Sequence, residues 1–273
     1  MINGLSFDIE DWFQVENLRE ACLPDKWDSY ELRVEKNTDI LLELLEKYNH
    51  KATFFILGWI AEKKPNLIKK IASLGHEIAS HGYKHEIVYR LTPDDFRRDL
   101  MISKKILEDL TGVEVIGYRA PNFSITKDSL WAIDILKELN FKYDSSIFPI
   151  SFHDRYGFNG IKDNSFFKFD NGLQEFPLTI YKFAGINFPV GGGAYFRFIH
   201  YRIFKFMLRQ INEKGKEFIF YLHPWELDKE QPRVKVNTAC YMRHYINLGK
   251  TNDKLISLLK DFRFQPLKNL LKT

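Results

Sequence analysis

Residues 4–9 alternate in character. Leu5, Phe7 and Ile9 fall on one side of an extended chain, and Ser6, Asp8 and Glu10 on the other. That alternation predicts a strand that delivers carboxylates to a pocket and ends at Asp11-Trp12. The pattern then changes to a helical period over Asn37–Tyr48, with Ile40, Leu41, Leu44 and Leu45 as its apolar stripe. Ala52–Leu57 is a continuous apolar run, which predicts a buried strand. A helix from Pro65 to Leu74 is opened by proline and stopped by Gly75, and His76–Ser80 reads as the next strand. Thr92, with Asp94 and Asp95 behind it, opens a helix that reaches Leu110 and ends at Gly112.

The same grammar continues. Val115–Tyr118 is a strand, the stretch from Thr126 or Lys127 to Leu139 a helix, and Phe141–Asp144 a strand. Residues 150–173 are polar, aromatic and rich in turn signals. Gln174–Ile180 reads as a strand, Gly191-Gly192-Gly193 as a flexible loop, Ile199–Asn212 as a helix and Phe218–Leu222 as a strand. Residues 226–243 read as a long loop and Asn252–Leu259 as a last helix. Strands and helices alternate about seven times, which predicts an α/β fold with a parallel sheet, open or closed into a barrel. With no internal repeat and no linker, residues 1–273 read as one domain, with a loop-helix extension over about 226–273.

Composition narrows the function classes. Hydrophobic residues make up 45% and charged residues 28%, ordinary for a globular chain, and the net charge of +4 is spread along it. No basic tract argues for nucleic acid. No apolar run is long enough to span a bilayer, and the N-terminal residues lack signal-peptide features, so a cytoplasmic location is expected. Cys22 and Cys240 stand in no motif and are expected to be free thiols.

The polar residues just after strand ends carry the candidate chemistry. His81 and His85 have metal-ligand spacing, and Gly82 between them argues for a loop rather than a helix. A carboxylate can complete a two-histidine, one-carboxylate set. Asp8 and Glu10, on one strand face, are the natural pair for it, one on the ion and the other free as a base. Arg119 can fork onto Asp8 and keep it ionised. His223 suits proton donation to a leaving amine, with Asp144 as the carboxylate that orients it.

Taken in order, these motifs resemble the polysaccharide deacetylase family, the NodB-type carbohydrate esterases. Asp8-Ile9-Glu10-Asp11 is similar to a variant of the first motif with one residue between the two carboxylates. His81-Gly82-Tyr83-Lys84-His85 is similar to the second, with glycine where a hydroxyl residue is usual. Arg119-Ala120-Pro121 matches the third. Asp144-Ser145-Ser146 keeps only part of the fourth, and Phe220-Tyr221-Leu222-His223 resembles the fifth. The resemblance covers roughly residues 3–225. It implies a distorted (β/α)7 barrel, a divalent metal (usually zinc), and hydrolysis of an N-acetyl group on an amino sugar. It carries the base onto Asp8 and the ligand onto Glu10, with Asp11 as the alternative ligand.

Gly191–Arg197 and Arg243–Asn247 look like the subgroup found with exopolysaccharide and surface-glycan biosynthesis. The expected substrate is therefore a surface polysaccharide, an exopolysaccharide or a precursor of one. Tyr195, Arg197, His153, Arg155 and Trp225 are the expected substrate contacts. Allantoinase-like cyclic amide hydrolysis and non-catalytic sugar binding are the competing readings. The aromatic segment 150–170 favours a sugar over a small ring. A glycosidase is disfavoured, because carboxylates two residues apart on one strand sit closer than the roughly 5–9 Å that chemistry uses.

Overall fold

The alternating N-terminal run forms β1 (Ile2–Ile9), whose residues are buried on both faces from Asn3 onward. In a computed structural model that describes residues 1–150 and 165–272, this strand is the centre of the molecule. The chain continues through α1 (Val34–Lys47), β2 (Thr53–Ile56), α2 (Gly58–Lys63), α3 (Pro65–Ser73), β3 (Glu77–Ser80) and α4 (Pro93–Thr111). Next come β4 (Gly117–Tyr118), α5 (Trp131–Glu138), β5 (Tyr143–Asp144), β6 (Phe167–Lys168), β7 (Gln174–Glu175), β8 (Ile180–Phe183) and β9 (Ile186–Pro189). The last part holds α6 (Gly193–Phe198), α7 (Tyr201–Glu213), β10 (Ile219–Leu222), α8 (Thr238–Tyr245), α9 (Thr251–Asp261) and β11 (Arg263–Gln265).

The main sheet runs in the order β10-β1-β2-β3-β4-β5-β7, with every neighbouring pair parallel. It curls into a distorted (β/α)7 barrel with the helices outside. No ladder joins β7 to β10 among the described residues. The seam is closed instead by one side chain and a glycine run. Thr179 Oγ1 accepts from Ile219 N at 2.8 Å and donates to Ile219 O at 2.7 Å, while Tyr221 N donates to Gly191 O at 2.7 Å.

The run Gly191-Gly192-Gly193 is therefore not a flexible loop. Gly192 has φ 136°, and a Cβ there would lie 1.8 Å from Tyr221 O. Glycine is required because two backbones meet at the seam. The region read as one strand, 174–180, divides between β7 and β8, and the supposed loop 226–243 already contains the start of α8. The helix α2, the hairpin β8–β9 and the strand β11 had no pattern long enough to announce them.

Two apolar layers hold the barrel. Phe7, Phe54, Ile56 and Ile78 face outward into the large helix-covered core. Phe55, Ala79, Tyr143, Phe176 and Ile219 face inward, and Leu267 and Leu270 from the C-terminal segment plug that interior. The plug is fixed by hydrogen bonds. Leu267 N donates to Thr53 Oγ1 at 2.7 Å, and Lys268 N to Glu77 Oε2 at 3.0 Å. β11 adds beside β1 in parallel, so residues near the C-terminus extend the same sheet.

Helix ends follow their sequence signals. Thr92 caps α4 by accepting from Asp95 N at 3.2 Å, and Gly112 ends it in the left-handed region at φ 68°. Asp11 does similar work for α1: its Oδ2 accepts from Arg33 N at 2.6 Å and Val34 N at 2.8 Å.

Candidate metal centre and proton-transfer site

The ends of four parallel strands meet at one rim of the barrel, where barrel enzymes carry their chemistry. β1 carries Asp8 as its next-to-last residue and delivers Glu10 just beyond its end. β3 leads into His81, β4 into Arg119 and β10 into His223. Glu10, His81 and His85 each offer one ligand atom, and those atoms lie within 4.8 Å of one another; all three residues are buried. No other such cluster occurs among the described residues. The carboxylate in it is Glu10; Asp11 is spent on the N-terminus of α1.

The donor set suits a cation. His81 Nδ1 lies 2.7 Å from Arg119 O; a carbonyl can only accept, so Nδ1 carries the proton and Nε2 keeps its lone pair. Burial pushes the His81 pKa down to about 4, so the ring is neutral. His85 Nε2 lies 2.7 Å from Glu10 Oε2, yet that buried oxygen has no hydrogen-bond partner among the described residues. Burial alone would raise the Glu10 pKa, but His85, His223 and His81 together bring it down to about 2. An ionised carboxylate facing imidazole nitrogens, with an unsatisfied oxygen between them, is the arrangement a divalent ion completes.

The histidine loop has its own support. Gly82 sits at φ 77°, and a Cβ there would come within 2.8 Å of Asp99 Oδ2. That oxygen accepts from Tyr83 N at 2.8 Å. The glycine in place of the usual hydroxyl residue therefore goes with an aspartate from α4 that clamps the loop.

Asp8 stands beside the cluster. Its Oδ1 accepts from Arg119 Nη1 at 2.8 Å. Arg119 is fully buried and also donates to Ser6 Oγ, Ser145 O and Ser145 Oγ. Its guanidinium carbon lies 4.2 Å from the Phe55 ring centre. On the other side, His223 Nε2 lies 3.4 Å from Glu10 Oε1 and 3.8 Å from Asp8 Oδ2. Burial opposes the charged imidazole, but Glu10, Glu226 and Asp8 outweigh it and raise the His223 pKa to about 9.

One expectation is corrected. Asp144 does not orient His223: the Nδ1 of His223 lies 2.7 Å from Glu226 Oε1. Asp144 is buried in the barrel wall, where it accepts from Ser146 Oγ, which in turn accepts from Ala120 N at 2.7 Å. It braces the Arg119 loop. Burial raises the pKa of Asp144 to about 6 and that of its neighbour Glu175 further, so the two carboxyls hold a proton near neutrality. Arg197, expected on substrate, lines the cleft and lies buried on Glu226 and on backbone carbonyls of residues 243–246. Trp225, also expected there, lines the cleft too; it is largely buried, donates to Glu10 Oε1 at 3.0 Å and stacks on His223 and His244.

Tyr195 lines the same cleft, which encloses about 380 Å³. His153 and Arg155 lie outside the described residues. Two residues had escaped notice. Glu226 is visible in the sequence only as the third residue after His223. Asn122 lines the cleft at φ 52°, with its buried Nδ2 unpartnered among the described residues. Its place next to Pro121 was the one available signal.

A parallel barrel with a two-histidine, one-carboxylate cluster at its rim defines the class of architecture. Comparison shows what the chain is similar to. Residues 25–143 match the profile described as polysaccharide deacetylase, and residues 145–272 match a domain of unknown function, DUF3473. The polysaccharide deacetylase match thus covers residues 25–143, the part of the chain that carries β2 to β4. A peptidoglycan-N-acetylglucosamine deacetylase of Bacillus cereus is 38% identical over 98 residues, 36% of each chain. A peptidoglycan deacetylase of Helicobacter pylori is 34% identical over 116 residues, 42% of this chain and 39% of that one. The chain thus matches little more than a third of these relatives' length. Among solved structures, a Mycobacterium smegmatis protein assigned as a polysaccharide deacetylase superposes with TM-score 0.60 at 20% identity, over 98% of this chain and 87% of that one. A CE4 family pseudoenzyme from Bacillus anthracis superposes with TM-score 0.53 at 15% identity, over 99% of this chain and 65% of that one. These two likenesses bear on the fold.

Proposed function

We propose that this chain is a metal-dependent deacetylase that removes N-acetyl groups from an amino sugar of a surface polysaccharide, an exopolysaccharide or a precursor of one. The observation that carries the reading is the convergence of Glu10, His81 and His85 with Asp8 on one side and His223 on the other. Glu10, His81 and His85 would hold the ion, with zinc as the expected metal. When bound, such an ion supplies Lewis acidity and lowers the pKa of water.

The chain's own residues do the rest. Asp8, fixed by the Arg119 fork, takes the proton from the attacking water. His223 hands a proton to the departing amine nitrogen, a group too basic to leave unprotonated. Tyr195 and the free amide donor of Asn122 reach the sugar from the cleft wall. Residues 1–273 work as one catalytic unit in this reading. Cys22 is a buried free thiol, which agrees with a reducing compartment and with the cytoplasm as the place of action. No helix among the described residues is long and apolar enough to cross a membrane.

The test is acetate release from N-acetylated glycans by metal-loaded protein, alongside metal analysis of His81→Ala and His85→Ala. Release that depends on the ion, with near-complete loss of ion in both variants, is expected. Full metal occupancy in either variant would falsify the ligand assignment, and absence of acetate release from loaded wild type would remove the deacetylase reading.

A further inference from the structure

The proton-donating side of the cleft is built almost entirely by residues beyond position 190. Glu226 returns toward His223 because the short 3-10 turn Pro224–Leu227 folds it back; its Oε1 accepts from His223 N at 3.2 Å and lies 2.7 Å from His223 Nδ1. Its other oxygen accepts from Arg197 Nε at 2.5 Å. Both Glu226 and Arg197 are almost wholly shielded from water. The rest of the guanidinium faces the C-terminal end of α8: Nη1 donates to His244 O at 3.0 Å and Ile246 O at 2.8 Å, and Nη2 to Arg243 O at 2.7 Å. The last carbonyls of a helix lack partners within the helix and carry partial negative charge, so a cation belongs there. Arg197 therefore has two fixed ends, a helix terminus and a carboxylate.

We infer that Glu226 and Arg197 are positioning residues for the proton donor, and that α8 is the anchor which holds them; the inference rests on the reading of His223 as that donor. The Glu226 carboxylate holds the proton on Nδ1 and turns Nε2 toward the cleft. In the step itself the C–N bond breaks, the Nε2 proton of the imidazolium passes to the leaving nitrogen, and the ring is left as a neutral imidazole with its Nδ1 proton still directed at Glu226. Glu226 takes up no proton. Arg197 keeps that carboxylate charged in a site with almost no water, where an uncompensated anion would otherwise protonate or swing away. This gives the C-terminal half of the chain a direct part in catalysis, since the end of α8 fixes Arg197, Arg197 fixes Glu226 and Glu226 fixes His223.

Two readouts test this. The first needs no turnover. Proton NMR of histidine-labelled protein should show a far-downfield Nδ1–H resonance from His223, absent in His223→Ala and moved upfield in Glu226→Gln. A resonance unchanged in Glu226→Gln overturns the inference whether or not the protein is active. The second compares two probes, N-acetylchitopentaose and 4-nitrophenyl acetate. Glu226→Gln should lose about 10–100-fold in kcat on the amide, as removal of a supporting partner commonly does, with KM little changed. It should lose far less on the ester, because a nitrophenolate departs without a proton. Arg197→Met should follow it. If Arg197→Met folds poorly, the double variant Arg197→Met/Glu226→Leu removes both charges and should fold while keeping the amide-selective loss. Equal losses on both probes would mean a merely structural role. If His223→Ala keeps full amide activity, the donor reading fails, whereas a slow His223→Ala beside a normal Glu226→Gln sinks only the present inference.

Discussion

At the scale of single residues, the site separates its carboxylates by what surrounds them. Glu10 is held ionised by three imidazoles and Asp8 lies against a buried arginine, while burial and the closeness of Asp144 to Glu175 leave that pair a proton. Asp8→Asn should abolish turnover and keep the ion, because the amide still accepts from Arg119 but cannot take a proton. Metal content and rate measured on the same sample decide this, and loss of the ion would make Asp8 a ligand. His223→Ala should cost roughly 10²–10⁴-fold in rate with metal and fold intact. A lowered melting temperature with an unchanged rate per folded molecule would instead mark a packing role. The Asp144–Glu175 pair has a pH consequence. Its acids are raised in the folded state, so the native protein binds more protons than the unfolded chain. The pair's contribution is then most favourable below the ordinary carboxylate range and is lost as pH rises through about 6. Asp144→Asn should therefore gain in stability relative to wild type between pH 5 and 8. Urea titrations across that range, read as the difference between the two proteins, should show this sign; a flat difference would mean that the pair carries no such penalty.

At the scale of elements, loops after strands do the positioning, and the α4 helix intrudes on one of them. The clamp from Asp99 to Tyr83 N and the left-handed Gly82 belong together. Restoring the usual hydroxyl residue by Gly82→Ser should thus harm the protein, although it makes the motif more regular. Strain at such a backbone position costs on the order of 1–3 kcal/mol, and contact with Asp99 adds to it. A fall in melting temperature together with weaker metal binding is expected, and a neutral or stabilising substitution would show that the loop has another conformation at hand.

At the scale of the molecule, the barrel lacks a strand ladder at one seam and is plugged from one end. The seam depends on Thr179 and the 191–193 glycines, the plug on Leu267 and Leu270. Removing residues 263–272 deletes β11 and uncovers the apolar interior around Phe55 and Tyr143. It also leaves Thr53 and Glu77 without their backbone donors. The shortened chain is expected to aggregate or to lose cooperative unfolding by circular dichroism. A sharp thermal transition close to that of the full chain would show that the segment is peripheral.

The sequence by itself determined what depends on neighbours along the chain. The period of two in β1, the apolar runs of β2 and β3, and the proline, threonine and glycine signals around α3 and α4 are local, and they placed Asp8, Glu10, His81, Arg119 and His223 at strand ends. The H-x3-H spacing needed no tertiary knowledge. Tertiary structure decided which groups meet. Asp144 and His223 each follow a strand and make a plausible pair on paper, but the curl of the sheet puts Asp144 with Ser146 and Glu175 and leaves His223 to Glu226. Arg197 reads as a substrate contact until a fold brings it 29 positions along the chain to Glu226 and 46–49 positions to the end of α8. Glu10 and Asp11 are equal candidates in one dimension. They part in three, because the end of β1 turns one toward the histidines and the other toward the N-terminus of α1.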